Sequence, residues 1–145
     1  MSGPRHRRRP RVRAIGLVVA ATLVSAVPGC GGGNDREDAE KAVREFARAA
    51  NERNADKLCG ELVTEEFVEM ATLATGEAAR KACREGFADL NRPQLEIVSF
   101  EKTEIDGDRA IVTTRVNVGE EPRVQVFELA KEGGKFRVNS GSPQQ

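Results

Sequence analysis

Three cysteines, Cys30, Cys59 and Cys83, carry most of the reactive chemistry in these 145 residues. A thiolate can be a nucleophile, a metal ligand or half of a disulfide, and its surroundings decide which. The other usual agents are scarce. The single histidine, His6, sits among arginines near the start, and the chain has neither tyrosine nor tryptophan. Past residue 30 the groups left for proton transfer are carboxylates, hydroxyls and basic side chains. A carboxylate serves alone as a base where burial lifts its pKa towards neutrality. Glu128, between Val126 and Ala130, and Thr114, between Val112 and Val116, interrupt otherwise apolar strand faces, which makes them the candidate pocket residues. The competing reading places them at a wet rim, with Arg115 and Glu128 as a cross-strand pair. Two cysteines with no histidine are a poor metal set. Gly31-Gly32-Gly33 has no strand before it, as a phosphate-binding loop requires. No cofactor and no catalytic residue is assigned.

What precedes Cys30 has its own organisation. Arg5, Arg7, Arg8, Arg9, Arg11 and Arg13 are its basic residues, and no acid comes before Asp35. An apolar run from Ala14 to Val27 follows and ends at Pro28-Gly29. As a helix that run spans about 21 Å, short of the roughly 30 Å hydrocarbon core of a bilayer. A basic start, a short apolar run and a break describe a signal peptide over residues 1–29. An uncleaved N-terminal anchor is the alternative. Removing the six arginines from 23 basic residues leaves 17 against 23 acids, six negative charges in excess. Phosphate backbones repel such a body, so nucleic acid is excluded as a partner.

Val27-Pro28-Gly29-Cys30 resembles the lipobox of bacterial lipoproteins: an aliphatic residue three before the cysteine and a small one directly before it. Pro28 departs from the usual middle residue. The resemblance implies a diacylglyceryl group on the Cys30 sulfur, cleavage after Gly29, and a chain held by membrane lipid on the extracytoplasmic face. Residues 30–35 then read as the lipidated cysteine and a glycine-rich tether. Ordinary cleavage after Ala26, giving a soluble secreted protein, is the competing outcome. With Cys30 assigned to lipid, Cys59 and Cys83 remain, in a compartment where disulfides persist. A bridge between them closes a loop of about 25 residues, worth roughly 3 kcal/mol in the chain-entropy model. Two buried free thiols are the alternative.

The elements positioning these residues are legible in periodicity. Ala39, Ala42, Val43, Phe46, Ala47 and Ala50 form one helical stripe within residues 35–54. Asp35 is placed to cap it, with Glu37–Lys41 and Glu40–Arg44 pairs on the wet side. A short helix is expected over 56–62. Another starts at the N-cap Thr64, carries Phe67, Val68, Met70 and Ala71, and runs towards Ala74. Residues 77–90 repeat the stripe with Ala79, Ala82, Cys83, Gly86, Phe87 and Leu90. From residue 94 the period changes to two. Strands are expected at 94–102, 109–118, 123–131 and 135–139, with turns at Asp106-Gly107, Gly119 to Pro122 and Gly133-Gly134. Leu95 and Ile97 should oppose Val98 and Phe100. Residues 140–145 read as a disordered tail. Helices first and strands after make an α+β domain over 36–139, the helices laid on one face of an antiparallel four-stranded sheet.

That order resembles the nuclear-transport-factor-two-like, or cystatin-like, α+β roll, in particular its small secreted actinobacterial lipoproteins. The resemblance rests on the run from Ala50 to Asp56 followed by Cys59 and Leu62-Val63-Thr64, on Cys83 in the last helix, and on the closing hairpin from Phe127 to Val138. It implies a curved sheet with a pocket against the helices, and often dimerisation through the sheet. Members of such a fold include isomerases, dehydratases and ligand-binding modules, so the fold does not choose among them. The expected function is a non-catalytic module for a small apolar ligand or an envelope protein, with a homodimer as a further partner. The alternative is an isomerase or dehydratase using a buried Glu128.

Overall fold

The computed structural model describes residues 32–143. The expected signal peptide, the expected lipidation site Cys30 and residues 144–145 lie outside them. Helix α1 spans Gly32–Asn51, α2 spans Ala55–Lys57 and runs into a π-helical turn at Leu58–Leu62, α3 spans Glu65–Thr72 and α4 spans Gly76–Ala88. Four strands follow: β1 Leu95–Asp106, β2 Arg109–Val118, β3 Glu121–Glu132 and β4 Lys135–Pro143. They pair in sequence order as one antiparallel sheet, so the chain is an α+β fold with its helices ahead of a curved sheet. None of the described helices is long and apolar enough to cross a membrane.

The stripe on α1 packs where its spacing directs it. Ala39, Val43 and Ala47 are buried, and Phe46 meets Phe127 of β3 edge-on with ring centroids 5.9 Å apart. Ala49 is buried as well. The sheet takes one side of α1 and the π turn another, so two layers widen the apolar stripe beyond what one contact needs. The helix begins at Gly32, which places most of the expected tether inside it. Asp35 therefore sits within the first turn and forms an ion pair with Lys131 of β3 at 2.8 Å instead of capping the helix. Glu40 bonds Arg36, at 3.1 Å, and not Arg44; Thr103 of β1 donates to the same carboxylate oxygen at 2.9 Å. Arg44 lies over the Phe100 ring, 4.5 Å from its centre.

Sheet curvature has a local cause in β1. Its register against β2 shifts between Ile97 and Ser99 and again between Phe100 and Lys102. Each bulge adds one residue and bends the strand. Leu95, Ile97, Phe100, Thr103 and Ile105 consequently share the helix-facing side, opposite Ala110, Val112, Thr114 and Val116. The expectation that Phe100 opposes Ile97 assumed an unbroken period of two. Val98 alone is turned outward and is 52% exposed.

The remaining boundaries follow from hydrogen bonding. Pro122 lies within β3, opposite Asn117, so the second turn shrinks to Gly119-Glu120. Gly133 and Gly134 both have positive φ, the geometry a two-residue type I′ turn demands. Strand β4 continues through Pro143, which pairs with Gln125, so residues 140–143 are sheet and not tail. A bulge between Glu128 and Leu129 on one strand and Val138 and Ser140 on the other displaces Asn139. Beyond β4, Val63 adds a short parallel bridge to Val138 and the Thr64 N–H donates to the Val138 carbonyl. Thr64 then caps α3 as its sequence position suggests: its hydroxyl accepts from the Phe67 N–H at 3.1 Å and donates to Asn139 Oδ1 at 2.6 Å.

Candidate functional site

The structure joins Cys59 and Cys83 in a disulfide, with Cα atoms 6.0 Å apart. Cys59 lies on the π turn and is buried, and Cys83 is half-buried on the third turn of α4. The bridge fastens α4 to the rest of the helical layer beside a second link, Arg84 to Asp56 at 3.6 Å. Both cysteines are thus structural.

The two candidate pocket residues are on opposite faces of the sheet. Thr114 is fully buried on the helix-facing side, between Val112 and Val116, and its hydroxyl donates to the Gln125 carbonyl at 3.2 Å. That bond satisfies the hydroxyl inside the packed core. Glu128 is exposed on the outer face, opposite Ile111. A buried carboxylate base is therefore not what Glu128 is. Its expected partner Arg115 is four strand positions away and binds Glu101 of β1 instead, at 2.6 and 3.0 Å.

Glu128 does line a hollow of about 450 Å³ on the outer side of the sheet. Ile111 and Ala130 supply the apolar side chains on that face, Ile105 and Ala110 border it while turning to the helices, and Glu104, Asp106 and Glu128 outnumber Arg109 among its charged groups. Alternation singled out Glu128 but not the rest of this hollow, which includes Asn139, the residue that the β4 bulge displaces. Two smaller features sit at the other end. A groove of about 400 Å³ runs between α1 and β1 beside Arg48, Asn51 and Ile97, and a cavity of about 130 Å³ lies beside Asn51, Phe87 and Pro93. The face of the sheet beneath the helices is filled by Phe127, Leu129, Phe136 and Val138.

One charge cluster stands out. Lys131 bonds Asp35 and lies over the Phe136 ring at 4.9 Å. The hydrogen bond to Asp35 raises the Lys131 ammonium above its ordinary 10.5; desolvation opposes this, and the charges of Asp35, Asp108 and Asp38 add to it. Its position is a brace, since it ties the start of α1 to the β1–β2 turn, where the Lys131 N–H donates to the Asp108 carbonyl. Among the described residues no group of three or more histidine, cysteine, aspartate or glutamate side chains could hold a metal ion.

No family model matches the chain, and no curated protein matches it. Two solved structures are similar in outline. One is a de novo designed protein with a curved β-sheet, 18% identical, with a TM-score of 0.44 over 75% of this chain and 98% of the other. The second is a phospholipid-binding protein from Ralstonia solanacearum, solved with a phospholipid, 13% identical with a TM-score of 0.41 over 76% of this chain and 78% of the other.

Proposed function

We propose that the chain is an exported lipoprotein, acylated on Cys30 and held at the extracytoplasmic face of a membrane, whose α+β domain is a non-catalytic binding module of the nuclear-transport-factor-two-like kind. The lipobox-like Val27–Cys30 and the arginine-rich, apolar start support the address. The observation that carries the binding reading is the 450 Å³ hollow on the outer face of the sheet. Its volume is in the range of small-molecule sites. Ile111 and Ala130 beside three carboxylates suit a small ligand with an apolar body and a donor or cationic group.

Glu128 supports binding more than turnover. It is exposed and shares the hollow with Glu104 and Asp106, with Arg109, the cross-strand neighbour of Asp106, as the one basic residue of the lining. Native mass spectrometry of the chain extracted from membranes tests the reading. The expected result is a bound small molecule that Ile111→Arg removes while the fold is kept. A chain that carries nothing, and takes up no hydrophobic cation when titrated, would end it. So would a bound molecule that is steadily converted to product.

A further inference from the structure

The α3–α4 corner holds the most exposed apolar side chains of the helical layer. Leu73 is 93% and Met70 59% exposed. Leu73 closes α3 in the left-handed region, at φ 56° and ψ 28°, where helices ordinarily place glycine. Nothing inside the domain uses its side chain. Most carboxylates around it have partners: Glu69 accepts from the Gly76 N–H at 2.9 Å, Glu65 meets Arg80 at 3.8 Å, and Glu77 meets Arg84 at 3.3 Å, while Glu66 is exposed one turn before Met70. The corner thus projects two hydrocarbon side chains from among acidic ones, most of them paired with a base or a backbone N–H.

Its place in the fold gives that hydrocarbon a destination. Asp35, in the first turn of α1, is bonded to Lys131; the next residue, Glu132, accepts from the Glu65 N–H at the start of α3. Helix α4 then runs away from this end, past the Cys59 disulfide and Asp56, to bring Phe87 beside Ala50 near the far end of α1. The α3–α4 corner therefore lies at the same end of the domain as the start of α1. Cys30 precedes Gly32 by two residues, a reach of about 7 Å at full extension.

We infer that Met70 and Leu73 insert into the interfacial layer of the bilayer that holds the Cys30 acyl chains, fixing the domain upright on its α1 start. This rests on the anchor reading. A tether so short keeps this end at the headgroups, where a wholly exposed leucine gains by leaving water. The body is acidic, so the contact is apolar in origin and gains nothing from anionic lipid.

The chain lacks tryptophan, so a single introduced indole reports its own surroundings. Full-length chain is expressed with Leu73→Trp, purified from membranes in its mature form and returned to phosphatidylcholine vesicles with brominated acyl chains. Val98→Trp, on the outer sheet face, serves as the comparison. The expected result is blue-shifted emission quenched by bromine for Leu73→Trp and unquenched emission for Val98→Trp. Met70→Trp should repeat the first outcome. Emission from both corner variants that is as water-exposed as that of Val98→Trp, in chain whose mass shows acylation, overturns the docking while leaving the anchor standing. A mass without acyl chains removes the anchor and the docking with it.

Discussion

The side chain of Asn51 pairs with the backbone of Leu95 as a neighbouring strand would: its Nδ2 donates to the Leu95 carbonyl and its Oδ1 accepts the Leu95 N–H, both at 2.8 Å. One residue from the end of α1 thus starts the first strand, 44 positions later. Asn51→Ala removes two hydrogen bonds, each worth about 0.5–1.5 kcal/mol net, and should cost about 1–2 kcal/mol in urea denaturation. Asn51→Asp keeps the acceptor but loses the donor, and should fall between the two.

Removal of the disulfide should be felt at equilibrium. A bridge spanning 24 positions constrains the unfolded chain by about 3 kcal/mol. Replacing both Cys59 and Cys83 by alanine should lower Tm by roughly 10–20 °C. Calorimetry in the presence and absence of reductant is the check: reductant should lower the Tm of the parent and leave that of the double variant unmoved.

Thr64 holds two structures together through one oxygen. Thr64→Val is nearly isosteric, yet leaves the Phe67 N–H uncapped and Asn139 Oδ1 without its donor. The expected loss is about 2 kcal/mol, measured by denaturant midpoint, and Thr64→Ser should restore most of it.

The Lys131–Asp35 brace makes an alkaline prediction. The folded protein raises Lys131 above its ordinary 10.5, so the contribution is fully present below 10.5 and is lost as pH climbs through the higher folded value. Thermal melts should show stability falling above about pH 10.5, and Lys131→Met should flatten that part of the profile.

Leu73 predicts a trade between stability and location. Leu73→Gly relieves a left-handed leucine and should raise stability by about 1 kcal/mol, read from the denaturant midpoint, because no packed contact is lost. The same variant should sit less firmly on vesicles.

The sequence was most legible where periods were unbroken. Strand β2 has the limits its alternation implies, and Thr64 caps α3 because threonine followed by two glutamates is a local signal. Counting left Cys59 and Cys83 as a bridge or as two buried thiols, and the structure joins them. Strand β1 was harder, since two bulges reset its faces and no residue type announces them. Glu128 and Thr114 read as equivalent polar interruptions because apolar residues stand on both faces of their strands, and alternation alone does not say which face is inward; one is exposed outside and the other buried inside. The partners of Asp35 and Glu40 come from β3 and β1, contacts that helix spacing does not encode. The strand beyond Asn139 is built of Ser140, Gly141 and Ser142, whose weak preferences are overruled by pairing with β3.

The two margins of the sheet are both unsuited to growth. Along β1 the doubled residues leave the free amides and carbonyls out of step with any straight incoming strand, and Val63 sits against the other margin at Val138. A sheet with broken or occupied margins can reach high local concentration without stitching its copies into fibrils.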